Sequence, residues 1–133
     1  MNTNKELAKY RLEQAKECLT LAEATLDQSS KNAANRSYYC IFHAMRAVLA
    51  LDKFDSKKHS GVISYFQQHY IKTKIFDANF STIIKKAFQI RSDSDYEDFY
   101  IAQKSDVIEQ IENAKIFLNA VEAYIGKLPA DED

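Results

Sequence analysis

The chain has 133 residues, of which 46% are hydrophobic and 28% charged, enough apolar material for the core of one domain. It contains only two glycines and one proline. Sandwiches, barrels and dinucleotide-binding folds need glycine and proline at many turns, and phosphate-binding loops need clustered glycines. The composition therefore excludes these classes and indicates an all-α protein.

Apolar residues recur at helical spacing in five segments of the chain. The first predicted helix covers residues 3–28 and opens on a Thr-x-x-Glu capping box, and the second covers residues 32–51. A short helix follows over residues 59–70. A fourth over 78–95 is capped by Asp77, and a fifth over 103–125 stops at Gly126, a residue suited to the C′ position.

These segments predict an antiparallel up-and-down four-helix bundle plus one short helix. We expect a single helical domain over residues 1–126 and a polar C-terminal tail over residues 127–133.

No apolar run approaches the roughly 18 residues of a membrane span, and the N-terminus lacks the apolar region of a signal peptide. A cytoplasmic protein with no membrane partner is predicted. Cys18 and Cys40 fall on apolar helical stretches, so we expect reduced core thiols. No Cys/His ligand spacing occurs, and neither a metal site nor a cofactor is predicted.

The net charge of −1 conceals an uneven distribution. Residues 53–91 contain eight Lys or Arg but only two Asp, so the middle of the chain is basic. Such a segment suits an anionic partner, although solvated helix faces would account for it equally well.

Two polar residues continue the apolar stripe of the fourth predicted helix. After Phe80, Ile84 and Ala87 the same spacing leads to Arg91 and then Asp95. A buried arginine is costly unless it is paired. The two residues therefore form either an internal ion pair that closes one end of the bundle, or a cation for a phosphate that the acid orients.

The second predicted helix carries a polar stripe beside its apolar one. Arg36, Tyr39, His43 and Arg46 follow one another at steps of three, four and three residues. Together they could line an anion-binding groove in which His43 binds or transfers a proton, or His43 could be a satisfied core histidine. The other two histidines, at positions 59 and 69, are predicted to lie on exposed basic surfaces.

Three motifs follow one another along the chain: Ala-Asn-Arg-Ser-Tyr-Tyr-Cys-Ile-Phe-His-Ala at 34–44, Lys-His-Ser-Gly-Val-Ile-Ser-Tyr-Phe at 58–66 and Arg-Ser-Asp-Ser-Asp-Tyr at 91–96. In this order they resemble the HEPN domain family. The chain is most similar to the subfamily with an Arg-x-x-x-Asp-Tyr signature, often encoded beside a minimal nucleotidyltransferase. The likeness covers residues 4–125 and implies an up-and-down four-helix bundle with one additional short helix.

The resemblance also carries functional expectations. Many HEPN proteins are metal-independent ribonucleases that act as toxins or defence effectors. They use an Arg and a His separated by four to six intervening residues, with the active site formed across a homodimer. At the matching position this chain has Arg91, but Asp95 and Tyr96 stand where the His would be. Arg36 and His43 have the family's spacing but lie in the second helix.

We therefore predict a nucleotide- or RNA-binding homodimer, the partner of a nucleotidyltransferase in a toxin–antitoxin or defence system. The predicted binding residues converge on one cleft, widened electrostatically by the basic links at 57–58 and 72–74; they are Arg36, Tyr39, His43, Arg46, Arg91 and Tyr96. One alternative is an active metal-independent endoribonuclease that uses Arg91 with Asp95, helped by His43. The second alternative is a structural dimerisation bundle.

Overall fold

The computed structural model describes residues 4–96 and 102–128, apart from the side chains of Asp95 and Tyr96. Within these ranges all regular structure is helical. The helices are α1 (Asn4–Thr25), α2 (Ser30–Ala50), α3 (His59–Phe66), α4 (Asn79–Tyr96) and α5 (Lys104–Gly126), and a π-helical turn over Gln67–Ile71 continues α3. Among the helices described, none combines the length and the apolar character that a membrane span requires.

Polar contacts at the two ends of the bundle show that α1 and α5 run antiparallel. Lys104, which begins α5, has its Nζ 2.7 Å from Oδ1 of Asp27, just beyond the end of α1. At the opposite end, Lys5 of α1 donates a hydrogen bond to the carbonyl of Leu128 at 3.0 Å. The central helix α2 packs against α1, α4 and α5, with α3 beside it. The predicted all-α bundle with one short helix is confirmed.

The contact between α1 and α2 consists largely of small side chains. Ala8, Ala15 and Ala22 of α1 are completely buried, as are Ala33 and Ala44 of α2. Because a methyl group keeps the helix axes close, the two helices form a tightly packed pair. Between α3 and α5 the core is aromatic, with Phe66, Phe76 and Phe117 in mutual contact. Cys18 and Cys40 are buried free thiols, as predicted.

Side chains at the helix starts account for two of the boundaries. Oγ of Ser29 accepts a hydrogen bond from the Asn32 N–H at 3.1 Å and so caps α2. The helix therefore begins at Ser30, two residues before its predicted start. The predicted cap of α4 is present, since Oδ1 of Asp77 accepts from the Asn79 N–H at 2.8 Å. The capping box predicted for α1 includes Thr3, which lies outside the described residues.

The end of α2 is a Schellman turn. The N–H of Phe54 donates to the Leu49 carbonyl and that of Lys53 to the Ala50 carbonyl, both at 3.1 Å, and Lys53 has a φ of 58°. The predicted end of α5 near Gly126 is confirmed, but the C′ position predicted for Gly126 is wrong, because Gly126 is the last residue of the helix. Gly126 has no positive φ, and the next residue, Lys127, caps the helix in the right-handed region.

Candidate functional site

Arg91, near the end of α4, lies over two tyrosine rings of α2. Its Cζ is 5.3 Å from the ring centroid of Tyr38 and 5.5 Å from that of Tyr39. Tyr38 is almost completely buried, whereas Tyr39 and Arg91 are half-buried. A guanidinium at these distances is attracted electrostatically to the ring faces. The two tyrosines therefore hold a cation at the edge of the core.

His59, at the start of α3, completes this aromatic cluster. Its Nδ1 lies 2.7 Å from the hydroxyl oxygen of Tyr38, and its ring stacks on Phe42 with the centroids 4.1 Å apart. The prediction of an exposed His59 is wrong, because α3 folds back against α2 and half buries the imidazole. Burial lowers the pKa of His59, and the positive charges of Arg91 and Arg46 lower it further.

His43 lies on the same side of α2, one turn after Tyr39. Its ring centroid is 5.9 Å from those of both Tyr39 and Phe42. Its Nδ1 is shielded from solvent and has no hydrogen-bond partner. Burial, followed by the charges of Arg46, Arg11 and His59, lowers the pKa of His43 to about 4. The imidazole is therefore neutral at physiological pH.

We use the name aromatic–arginine face for the surface formed by these side chains of α2, α3 and α4: Tyr38, Tyr39, Phe42, His43, His59 and Arg91. Because both histidines have lowered pKa values, its positive charge at neutral pH comes from the guanidinium group. The face combines flat rings, neutral imidazoles and a cation.

Two arginines and one carboxylate border this face. Nη2 of Arg46 lies 3.0 Å from Oδ2 of Asp55, and Nη2 of Arg11 lies 3.4 Å from the same oxygen. Arg11 also donates a hydrogen bond to the backbone carbonyl of Arg46 at 3.2 Å. Burial alone would raise the pKa of Asp55, but the hydrogen bonds from Arg46 and the Ser56 N–H, with the arginine charges, lower it. The carboxylate therefore stays ionised and fixes both guanidinium groups.

The structure brings together only part of the predicted set. Tyr39, His43 and Arg91 belong to the aromatic–arginine face, and Arg46 borders it through Asp55. Arg36 lies instead on the side of α2 that faces Cys18 of α1, and its side chain is exposed. Burial raises the pKa of the Cys18 thiol, and the positive charge of Arg36 offsets part of that increase.

The predicted site also included Asp95, Tyr96 and the basic links at 57–58 and 72–74, and none of these is part of the aromatic–arginine face as described. The helix α4 extends through Asp95 and Tyr96, but their side chains lie outside the described residues. The basic link at 57–58 is exposed on the loop that leads to His59. Lys72, in the second basic link, lines a different cavity together with Lys85.

Arg36 and Tyr39 line a separate cavity of about 420 Å³ between α1 and α2. We refer to it as the α1–α2 cavity. Its lining residues are Leu21, Thr25, Asn32, Asn35, Arg36 and Tyr39. Tyr39 thus belongs both to the cavity wall and to the aromatic–arginine face.

Sequence reasoning missed several residues of the site. Arg11 could have been recognised in the sequence, because it stands between the inward positions Ala8 and Ala15. In the structure its side chain is almost completely buried. The same signal, a polar residue on an apolar stripe, identified Arg91. His59 and Asp55 carried no comparable signal, since their position depends on how the 51–58 loop folds.

Among residues 4–96 and 102–128, no group of three or more His, Cys, Asp or Glu side chains could hold a metal ion. The chemistry that the described site offers is therefore that of guanidinium groups, imidazoles and phenols.

Comparison with known proteins identifies the class of the bundle. The model of the HEPN domain family matches residues 8–124, and the chain belongs to this family. A UPF0332 protein of Thermotoga maritima is 30% identical over 129 residues, which is 96% of this chain and 98% of that protein.

Two proteins of Methanocaldococcus jannaschii that are named as candidate toxins are also similar. Each is 31% identical, over 93 and 86 residues, which are 70% and 64% of this chain. The aligned regions span 63% and 64% of the two candidate toxins. The chain therefore matches about two thirds of the length of these relatives.

Proposed function

We propose that this HEPN protein binds a nucleotide or single-stranded RNA at its aromatic–arginine face. The observation that carries the proposal is the position of Arg91 over Tyr38 and Tyr39. A guanidinium binds phosphate through parallel hydrogen bonds, and the partly exposed ring of Tyr39 is a surface on which a base can stack. Phosphate and base are the two parts of a nucleotide that this face complements.

The histidines suit the same ligand. When the Tyr38 hydroxyl donates to Nδ1 of His59, the ring proton is on Nε2, which can then donate to a phosphate oxygen. A bound phosphate would raise the pKa of His59, since an anion favours the protonated ring. The exposed lysines at 57–58, which precede His59, extend the positive field toward an incoming strand.

The biological setting is part of the proposal. Relatives named as candidate toxins support a role in a toxin–antitoxin or defence system. A nucleotidyltransferase as the partner protein is proposed from the resemblance to the Arg-x-x-x-Asp-Tyr subfamily alone. Buried free thiols are typical of the cytoplasm, where we place the protein. We also propose a homodimer, the commonest closed assembly. A light-scattering mass near the 15.3 kDa of one chain would contradict this part of the proposal.

The neutral imidazole of His59, on the same face as Arg91, favours a second candidate function, metal-independent cleavage of RNA. The neutral His59 could accept the proton of a ribose 2′-hydroxyl through Nε2 as that oxygen attacks the adjacent phosphorus. Arg91 would stabilise the negative charge on the phosphate oxygens. The 5′-oxygen then leaves with a proton from water, which gives a cyclic phosphate and a 5′-hydroxyl end. In this tautomer Nδ1 carries the proton and donates it to the Tyr38 hydroxyl.

Titration with fluorescent single-stranded RNA and with UTP, which lacks adenine, tests the binding proposal. We expect Arg91→Ala to weaken binding about tenfold or more, because hydrogen bonds to charged groups contribute most to affinity. Lys85→Ala is the matched control, since it removes the same charge from an exposed position of α4. Its effect should stay within about threefold. Affinity should fall between about 50 mM and about 200 mM salt as counterions contribute less.

Two results would contradict the proposal. If the wild type binds neither ligand, the structural dimerisation bundle is the better interpretation. If Arg91→Ala and Lys85→Ala weaken binding equally, the aromatic–arginine face is not the binding site. Cleavage is tested separately, by incubating RNA with the protein and a chelator: His59→Gln should abolish any cleavage, whereas the exposed His69→Gln should not.

A further inference from the structure

The α1–α2 cavity holds a set of groups that the proposed function leaves unexplained. It contains an amide, a guanidinium and an aromatic ring, contributed by Asn35, Arg36 and Tyr39 within little more than one turn of α2. Its volume of about 420 Å³ falls within the range of about 300–1,000 Å³ for small-molecule sites. We propose that this cavity binds the adenine base of an adenine nucleotide, an inference that rests on the proposed function.

The chemistry of the lining residues matches the parts of such a ligand. Tyr39 offers a ring on which a base can stack, and the side chain of Leu21 from α1 supplies an apolar surface that is 43% exposed. Arg36 is the only cation among the residues that line the cavity. Its guanidinium is exposed and can bind the phosphate attached to the nucleoside.

Asn35 indicates which base fits. Its Oδ1 is shielded from solvent and has no hydrogen-bond partner, an arrangement that is costly in a folded protein. A rotation about the Cβ–Cγ bond, whose torsion is broadly populated, would bring this oxygen toward a ligand. An N–H donor on the ligand would then satisfy it.

Adenine provides that donor next to an acceptor. Its N6 amino group can donate to Oδ1 of Asn35 while a neighbouring ring nitrogen accepts from Nδ2, the bidentate pair that asparagine makes with this base. On the edge formed by N6 and N7 of adenine, hypoxanthine presents two acceptors, O6 and N7, so it offers no N–H to the Asn35 oxygen in either orientation of the amide. The cavity should therefore discriminate between adenosine and inosine monophosphate.

Calorimetric titration of the full chain with AMP and IMP tests the inference. We expect the wild type to bind AMP about tenfold to about a hundredfold more tightly than IMP. Asn35→Ala should reduce this ratio to within about twofold, whereas the exposed Asn119→Ala should leave it unchanged. Oligoadenosine and oligouridine RNA form the second arm, which shows whether the base is read on a free nucleotide or within a strand.

The outcomes separate this inference from the proposed function. Arg91→Ala should weaken RNA binding while any AMP-to-IMP ratio persists, because that residue does not line the cavity. If Arg91→Ala weakens RNA binding but the wild type shows no preference for adenine in either arm, only the present inference is overturned. A preference that survives Asn35→Ala overturns it as well. Absence of binding to every ligand removes both proposals.

A measurement on the wild type guards against an Asn35→Ala variant that fails to fold. In a ¹⁵N-labelled sample, the side-chain amide resonance of Asn35 should shift as AMP is added and should shift less with IMP. An unchanged Asn35 resonance at saturating AMP would overturn the inference.

Discussion

Protonation of His43 should destabilise the folded protein as the pH falls. The imidazole is half-buried beside Tyr39 and Phe42, and its Nδ1 has no hydrogen-bond partner. Burial and then the nearby Arg46, Arg11 and His59 lower its pKa from 6.5 to about 4. The charged ring is therefore disfavoured in the folded state and fully hydrated in the unfolded chain.

The sign and size of the effect follow from proton linkage. Below its ordinary pKa of 6.5, His43 binds a proton in the unfolded chain, but the folded protein resists this until the pH reaches about 4. The stability contributed by the neutral ring is thus complete above pH 6.5 and is lost progressively as the pH falls toward 4. At about 1.4 kcal/mol per pH unit, the loss in free energy of unfolding reaches about 3 kcal/mol near pH 4.

Urea unfolding followed by circular dichroism at several pH values between about 7.5 and about 4 measures this loss. The wild type should lose about 3 kcal/mol more over this interval than His43→Gln, whose neutral amide does not titrate. Comparing the two proteins cancels the contribution of carboxylates that titrate in the same range. The exposed His69→Gln is the matched control and should follow the wild type.

Equal pH dependence of the wild type and His43→Gln would refute this reasoning. Such a result would mean that the His43 ring is hydrated in the folded state, and that the surrounding arginines do not affect its charge. The reasoning would also be contradicted if the pH dependence of stability changed in His69→Gln but not in His43→Gln.

Three further predictions concern single positions. Gly61→Ala should destabilise the protein by about 1–3 kcal/mol, because the new Cβ would lie 2.3 Å from Oγ of Ser56, and adding Ser56→Gly should restore most of the loss in thermal unfolding. Lys53→Gly should raise the free energy of unfolding by about 0.5–1 kcal/mol, since glycine suits a φ of 58°; a decrease would show that the lysine side chain stabilises the turn. Arg91 and Asp95 should show a coupling energy of about 0.5–3 kcal/mol in a double-mutant cycle, and additive single effects would disprove the predicted pair.

The helices could be predicted because their signals are local. The apolar period specifies which face of each helix is buried. The apolar residues of α1 that recur at steps of four and three are buried from Ala8 to Ala22, whereas the last one, Leu26, lies beyond the end of α1 and is partly buried. Residues typical of helix starts and ends predicted most of the helix boundaries to within a few residues. The π-helical turn over Gln67–Ile71 was not predicted, because a single wide turn changes the period too briefly to be recognised.

The site was predicted only in part because its geometry depends on neighbouring helices. Arg36 and Arg46 are ten residues apart, which turns them about 80° around the axis of α2. A stripe this wide meets different partners at its two edges, so Arg36 lines the α1–α2 cavity whereas Arg46 binds Asp55. Spacing alone could not reveal this division, nor could it place His59 against Phe42.

Because four helices contribute residues to this site, it cannot easily be transferred to another fold. Tyr38 of α2, His59 of α3 and Arg91 of α4 are in contact, and Arg11 of α1 borders them through its bonds to Arg46 and Asp55. A helical hairpin moved to another scaffold would carry at most two of these groups. The arrangement is therefore portable only as a whole module, and an insertion within one of its helices would disturb the alignment of residues contributed by the other three.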